Sequence, residues 1–316
     1  MSGVNLAGAE FGQVYPGQEN RDYFFPTDQE LDYYHRKNIN FIRLPILWER
    51  VQSVLSGSLE QSYARSIRKV LDAAAAKKMK VILDIHNFGR YGIGKFARGS
   101  THGNFVGSKE VPTEAFTDLW RKLALQFKGH SAIYGYDLMN EPNGDELRRS
   151  WKDIAQSAVS AIREVDKDTS ILVEGACWSK AETWEQCNQT LLIKDPSEKI
   201  IYEAHQYFDH DSVEYPRSYS KEKAYRDVGV DRIKPFVDWL RSHHKIGLIG
   251  EYGVPADDPR WLVVMDRFLS YAKANCISTL YWAGGAHWGD YKLSIEPHSG
   301  EDSQQMKILQ AHSSAL

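Results

Sequence analysis

An α/β fold of the (β/α)8, or TIM, barrel class in one domain is what the sequence predicts, and three observations predict it. Eight short apolar runs end in polar or glycine residues, helical periodicity fills the stretches between them, and the runs start about every 39 residues between 3 and 278, a spacing that suits βα units with some enlarged loops. Strands alternating with helices imply right-handed crossovers and a parallel sheet, whose strands, covered on both faces, read as near-continuous apolar stretches.

The first run, GVNLAG at 3–8, is followed by Ala9-Glu10-Phe11-Gly12-Gln13. That stretch lacks the glycine-rich phosphate loop expected of a doubly wound open sheet, the structural rival. Helical periodicity from Asp28 to Lys37 leads into NFIRLPI at 40–46, and from Tyr63 to Lys77 into KVILDIHN at 80–87. The stretch from Glu114 to Gln126 precedes IYGYDLMNEP at 133–142, and Glu146 to Val165 precedes SILVEG at 170–175. KIIYEAHQYF at 199–208 and IGLIGEYG at 246–253 come next, and Pro259 to Ala274 introduces the last run, STLYWAGG at 278–285. Nothing reads as a linker or a low-complexity segment, so residues 1–316 count as one barrel.

Composition excludes several classes. With 39 Lys and Arg against 42 Asp and Glu, the net charge is −3, and no basic stripe offers a footprint for nucleic acid. No apolar run reaches the roughly 20 residues of a membrane-spanning helix. Three cysteines without a Cys-x-x-Cys pair fit neither a zinc site nor a disulfide-dense scaffold. Cys177 and Cys187 flank a loop-like stretch, which leaves a local bridge open, and Cys276 reads as a buried free thiol. Aromatic residues make up 12%, with nine Trp and seventeen Tyr, a supply that serves a sugar-binding cleft or a core equally well. The chain opens without a leader-like segment, which fits either a cytoplasmic protein or a mature chain whose leader has been removed.

In a barrel of this class the site forms at the carboxyl ends of the strands. The residues there are Arg43, His86, Asn87, Asn140, Glu141, His205, Tyr207, Glu251 and Trp282. Each alone has a bland explanation: a structural ion pair for Arg43, a satisfied core histidine for His205, a packing role for Trp282. Together at one face they point to function, because burying several ionisable groups is costly unless they are paired or used. Glu141 and Glu251 end the fourth and seventh strands and so project into the mouth from opposite walls. Glycoside hydrolysis needs two such groups, one to give the leaving oxygen a proton and one to attack or to activate water. Asp209-His210-Asp211 reads as a polar loop rather than a cation site, and His243-His244 as the end of a helix.

Six motifs in order, Arg43-Leu44-Pro45, Asp84-Ile85-His86-Asn87, Asn140-Glu141-Pro142, Ala204-His205-Gln206-Tyr207, Gly250-Glu251-Tyr252-Gly253 and Tyr281-Trp282-Ala283-Gly284-Gly285, resemble glycoside hydrolase family 5 over nearly the whole chain. The stretches at 3–12, 86–91 and 282–285 are most similar to those of secreted endo-β-1,4-glucanases, the cellulases, and Ser294-Ile295-Glu296-Pro297 resembles bacterial members more than fungal ones. The resemblance implies Glu141 as general acid/base and Glu251 as nucleophile of a retaining mechanism. It also implies a sugar hydroxyl held by His86, an amide of Asn140 for a 2-hydroxyl, and Trp282 stacked beneath a glucose ring. Arg43 and Tyr207 would keep one carboxylate ionised, while Asn140 and His205 would shape the other. Trp178 is a candidate second platform; Tyr91 and Trp288 are weaker ones.

The expected partner is a β-1,4-glucan or its oligosaccharides, with no nucleic acid, membrane, cofactor or metal, and the expected state is a secreted monomer. Other β-glycans, such as mannan, xyloglucan or mixed-linkage glucan, remain open because loops set specificity. A non-catalytic carbohydrate-binding barrel is a further alternative, against which the two glutamates speak. An aldolase or metal-dependent hydrolase would need a Schiff-base lysine or a metal-spaced cluster at a strand end, and the runs end without either.

Overall fold

The computed structural model describes residues 2–12, 14–92, 103–209, 218–297 and 299–313. In chain order its elements are β1 (Ser2–Leu6), α1 (Asp28–Arg36), β2 (Phe41–Ile46), α2 (Trp48–Val51), α3 (Gln61–Ala76), β3 (Lys80–Ile85), β4 (Arg90–Tyr91), β5 (Asn104–Phe105), α4 (Thr113–Phe127) and β6 (Ile133–Asp137). There follow α5 (Asp145–Arg163), β7 (Ser170–Glu174), α6 (Trp184–Asn188), β8 (Ile200–His205), α7 (Val228–Ser242), β9 (Ile246–Glu251), α8 (Pro259–Ala274), β10 (Ser278–Gly284) and α9 (Gln304–His312). Strands β1, β2, β3, β6, β7, β8, β9 and β10 close into a parallel barrel in that order, and β4 and β5 form a separate antiparallel pair. Each of the eight predicted runs coincides with one barrel strand, β1 starting one residue before its run. The sequence did not single out α7, which carries Pro235 in its interior, where proline normally breaks a helix.

Local chemistry sets the helix ends. Thr27 and Glu30 cap α1 reciprocally, with the Thr27 N–H donating to Glu30 Oε2 at 2.7 Å and the Glu30 N–H to Thr27 Oγ1 at 3.2 Å. At the other end, α1, α3, α7 and α8 all stop the same way: Asn38, Lys78, His244 and Cys276, two residues past each helix, have φ between 53° and 59°. The residue after each turns its N–H back to the helix, as in Met79 to Ala74 O at 2.9 Å and Ile277 to Ala272 O at 2.9 Å. That turn puts Cys276 outside, so the expected buried thiol is an exposed one. Cys177 and Cys187 do form the local bridge, with Cα atoms 6.2 Å apart.

The barrel interior is built in layers because side chains alternate across a strand with period two. Phe41, Ile82, Leu172, Ile201, Leu248 and Leu280, one from each of six strands, pack as an apolar floor separate from the larger core between sheet and helices. Two residues onward along five of those strands stand Arg43, Asp84, Glu174, Glu203 and Gly250. The floor is oily and the layer above it is charged. Gly250 is required there: a Cβ on it would lie 1.6 Å from Glu203 Oε1. We expect Gly250→Ala to cost about 1–3 kcal/mol through overpacking, a drop of several degrees in a thermal melt; an unchanged melting temperature would show that Glu203 does not occupy that space.

Candidate active site

Arg43 occupies the middle of the charged layer and is fully buried. Its Nε donates to Asp137 Oδ2 at 2.8 Å, Nη1 to Glu251 Oε1 at 2.9 Å and to Asn5 Oδ1 at 3.1 Å, and Nη2 to Glu174 Oε1 and Asn140 Oδ1, both at 2.8 Å. Asp84 and Glu203 carboxylate oxygens lie 3.2 and 3.3 Å from the same guanidinium. His205 supplies a second cation. Burial opposes its charge, but Glu174, Glu251 and a 2.8 Å hydrogen bond to Glu141 together raise its pKa well above the usual imidazole value.

These surroundings sort the acids. Burial pushes Asp84, Asp137 and Glu174 well above the carboxylate range, since their shared guanidinium cannot offset the desolvation of all three. Glu251 goes the other way. Burial works against its charge, yet His205, Arg43 and the Tyr207 hydroxyl, which donates to Oε2 at 2.8 Å, hold it below the ordinary glutamate value. It is a carboxylate built to stay ionised.

Glu141 faces it. Oxygens of Glu141 and Glu251, together with a nitrogen of His205, all lie within 4.8 Å of one another, and Glu141 is the more open of the two carboxyls. The β6 strand ends at Asp137, and the chain continues through Asn140, whose N–H donates to Ile85 O at 2.8 Å, before turning sharply at Glu141. There φ is +44° immediately before Pro142, a left-handed conformation that costs a non-glycine residue about 1–3 kcal/mol and persists only where its surroundings hold it. The holding contact is Glu174 Oε2, which accepts the Glu141 N–H at 2.8 Å.

The aromatic surfaces are arranged around this pair. His86 stacks on Trp282 with ring centroids 5.3 Å apart and planes 5° from parallel. Its Nδ1 lies 2.7 Å from Asp84 Oδ2, and burial lowers its pKa to about 4, so it is a neutral imidazole whose tautomer Asp84 sets. Trp288 meets Trp282 edge-on at 5.6 Å and stacks on Tyr291 at 4.3 Å, backing the platform rather than forming a second one. Glu296 of the closing stretch accepts from the Gly285 N–H at 2.5 Å and from the Tyr34 hydroxyl, which braces the turn after Trp282. Trp178 is half-buried at φ +61° beside the Cys177–Cys187 bridge, edge-on to Phe88 at 6.0 Å, with its backbone N–H donating to Pro142 O at 3.3 Å. It therefore stands next to the Glu141 turn.

Of the residues the sequence nominated, Arg43, His86, Asn140, Glu141, His205, Tyr207, Glu251 and Trp282 converge at the mouth. Asn87 does not. Neighbouring strand residues point to opposite faces, and with His86 turned inward Asn87 is fully buried behind it, accepting from the Trp48 N–H at 2.9 Å and donating to Glu49 Oε2 at 2.8 Å. Its role is support. Tyr91 packs edge-on against Trp48 and donates its hydroxyl to Ser53 O at 2.7 Å, which makes it loop core. Sequence reasoning missed Asn5, Asp84, Asp137, Glu174 and Glu203 as members of the site. Their signal was present, since each is a polar residue set inside an otherwise apolar strand run. Asp209 is buried, and its backbone oxygen accepts from Arg232 at 2.6 Å, while His210 and Asp211 lie outside the described residues. Asp84, Asp137 and Glu174 have the spacing of a cation site, but the Arg43 guanidinium already fills the space between them.

A closed barrel whose mouth carries two facing carboxyls, one backed by fixed positive charge, has the parts of a glycoside hydrolase that works with two carboxylates. The chain belongs to glycosyl hydrolase family 5: residues 3–287 match the family described as Cellulase (glycosyl hydrolase family 5). It is similar to the endoglucanase Cel5A of Pseudomonas stutzeri, solved in complex with cellobiose, at 43% identity and a TM-score of 0.93 over 99% of this chain and 92% of that one. XacCel5A, solved in complex with cellopentaose, is 36% identical with a TM-score of 0.88 over 98% of both chains. A probable endo-beta-1,4-glucanase B of Neosartorya fischeri is 32% identical over 94% of this chain and 86% of its own length. Identity to the bacterial Pseudomonas enzyme exceeds that to the fungal one, in line with the bacterial-like closing stretch.

The buried charges make stability depend on pH in a stated direction. Asp84, Asp137 and Glu174 have folded values above their unfolded ones, so their contribution is complete below about pH 4 and is lost as pH rises. His205, also raised, contributes fully below about pH 6.5 and loses that contribution above it. Glu251, lowered, acts in the opposite sense, but only as pH falls below about 4. Melting temperature should therefore decline from mildly acidic to alkaline pH. The decline should be shallower in Asp137→Asn, whose oxygen can still accept from Arg43 Nε; a flat wild-type profile would contradict these assignments.

Proposed function

We propose that this family 5 glycoside hydrolase is a retaining endo-β-1,4-glucanase, acting outside the cell as a monomer, with residues 1–316 as its catalytic barrel. The observation that carries the reading is the Glu141–Glu251 pair: two carboxyls with oxygens within 4.8 Å of each other, unequal in exposure and in surroundings. Inverting enzymes need roughly 6.5–9.5 Å between carboxyl groups to admit a water, whereas retaining enzymes place them about 5–5.5 Å apart.

In this reading Glu251, kept ionised by Arg43, His205 and Tyr207, attacks the anomeric carbon. The bond to the leaving oxygen breaks as Glu141 gives that oxygen a proton. Glu141 then takes a proton from water, which attacks the same carbon and releases Glu251, so that two displacements restore the original configuration. The stacked His86–Trp282 pair, its ring planes nearly parallel, offers an apolar surface to the C–H face of a β-linked glucose and a ring nitrogen to its hydroxyls, and Asn140 stands beside Glu141 for the 2-hydroxyl. Trp178 adds a second aromatic surface beside the Glu141 turn.

Solved relatives described with cellobiose and cellopentaose support a β-1,4-glucan as substrate. The Cys177–Cys187 bridge fits an oxidising compartment, and an insoluble polymer has to be met outside the cell. Large exposed apolar residues are spread along the chain, Leu125 on α4, Ile246 on β9, Val263 on α8 and Val54 in the turn before α3, which suits a monomer.

Incubation with soluble cellulose, glucomannan, xyloglucan and mixed-linkage glucan, with product size and anomeric configuration followed by NMR, should give fastest internal cleavage of β-1,4-glucan and products first formed as β anomers. Initial α products would rule out retention, and a preference for mannan would rule out the substrate. Glu251→Ala should lose at least about a thousandfold in turnover while still binding cello-oligosaccharides, and added azide should return an α-glycosyl azide. Near wild-type turnover in that variant would remove Glu251 from the nucleophile role.

A further inference from the structure

We propose that Glu174, the last residue of β7, is the positioning residue that sets Glu141 against Glu251. The proposal rests on the acid/base reading of Glu141 given above. Glu174 is fully buried and reaches no substrate itself. It acts on Glu141 by two routes. Oε2 accepts the Glu141 N–H at 2.8 Å and so fixes the left-handed turn from which that side chain springs. Oε1 lies 3.4 Å from His205 Nε2, and the opposite ring nitrogen, Nδ1, is 2.8 Å from Glu141 Oε1, so the same carboxyl also sets the imidazole that orients the Glu141 head. Oε1 further accepts from Arg43 Nη2 at 2.8 Å, and Arg43 Nη1 donates to Glu251. One buried carboxyl is thereby tied to both members of the candidate pair. A 2.7 Å hydrogen bond from Trp151 Nε1 to the Glu174 backbone oxygen anchors the strand end that carries it.

The geometry asks for a group that accepts hydrogen bonds on both of its ends. Both oxygens of a carboxyl carry lone pairs that can accept, in the neutral form as in the ionised one, whereas an amide of the same shape accepts on one end and can only donate on the other. In Glu174→Gln the NH2 must face either the Glu141 N–H or the Arg43 guanidinium, donor against donor. Loss of position at Glu141 should appear as loss of acid catalysis, which a good leaving group does not need.

The test compares kcat/KM on cellopentaose, with its unactivated leaving group, and on dinitrophenyl β-cellobioside, for wild type, Glu174→Gln, Glu174→Asp and Glu141→Ala, with melting temperatures recorded for each. Glu174→Gln should fall at least about tenfold on cellopentaose and less than about threefold on the aryl glycoside. Glu174→Asp, which keeps a carboxyl near Arg43 but withdraws its oxygens by one methylene, should show the same split in reduced size and serves if the glutamine variant does not fold. Equal losses on both substrates, or no loss on either, would overturn the proposal and make Glu174 a structural residue only. If Glu141→Ala itself shows no split, the acid/base reading fails and the proposal falls with it; a split in Glu141→Ala without one in either Glu174 variant overturns the proposal alone.

Discussion

Carboxylate oxygens of Asp84, Asp137, Glu174, Glu203 and Glu251 all lie within 3.3 Å of Arg43 nitrogens inside a barrel closed to water. Arg43 and the His205 imidazolium together cannot neutralise five anions, and removing charge from water is unfavourable unless it is paired and hydrogen-bonded. The structure resolves the excess by unequal support. His205 nitrogens lie 3.4 to 3.6 Å from Glu174, Glu203 and Glu251 alike, and among the described residues Glu251 is the one of the five that adds a tyrosine hydroxyl, that of Tyr207 at 2.8 Å, to its contact with Arg43. It stays ionised, and burial drives Asp84, Asp137 and Glu174 toward their neutral forms. The interaction that makes the barrel interior tolerable therefore also decides which acid can act as a base or nucleophile. Stability and chemistry depend on the same guanidinium.

The fold was legible because a parallel barrel strand covered on both faces leaves a mark that survives without alignment, an apolar run ending where the backbone leaves the sheet. The strand-end rule then located the mouth residues. What it could not supply was parity. In a strand apolar on both faces, alternation does not announce which residues look inward, so His86 and Asn87 were nominated together although a pleated strand can send only one of them to the mouth. The charged layer was passed over for the same reason. Asp137, Glu174 and Glu203 are visible as acids in apolar runs, but their meaning depends on Arg43 reaching them from β2, and in sequence they lie 94 to 160 positions from it. Trp288 and Tyr91 were ambiguous for want of their neighbours. Phe11, Trp282 and Tyr291 on one side, and Trp48 on the other, show what those two rings pack against.

The two ends of the barrel use left-handed backbone for different purposes. At the amino ends of the strands, Asn38, Lys78, His244 and Cys276 each terminate a helix, and the cost of the conformation is offset at once by backbone N–H groups returning to helix carbonyls. At the carboxyl ends, Phe88, Glu141, Cys177, Trp178 and Ser179 adopt the same conformation with no helix behind them. There side chains join backbone bonds such as Trp178 N–H to Pro142 O in the compensation: Glu174 for the Glu141 N–H, the Ser179 hydroxyl bonded to the Gly175 N–H and to Glu203 O, and the disulfide beside Trp178. A backbone closure is indifferent to which residue occupies the turn, so it suits the face that only has to be stable. A side-chain closure can be aimed, because a particular carboxyl or hydroxyl at a particular strand end decides where the next residue points. The mouth is thus held by contacts that single substitutions can loosen, and looseness there changes the aim of Glu141 and Trp178 before it threatens the barrel, whose hydrogen-bonded strands and apolar floor lie below.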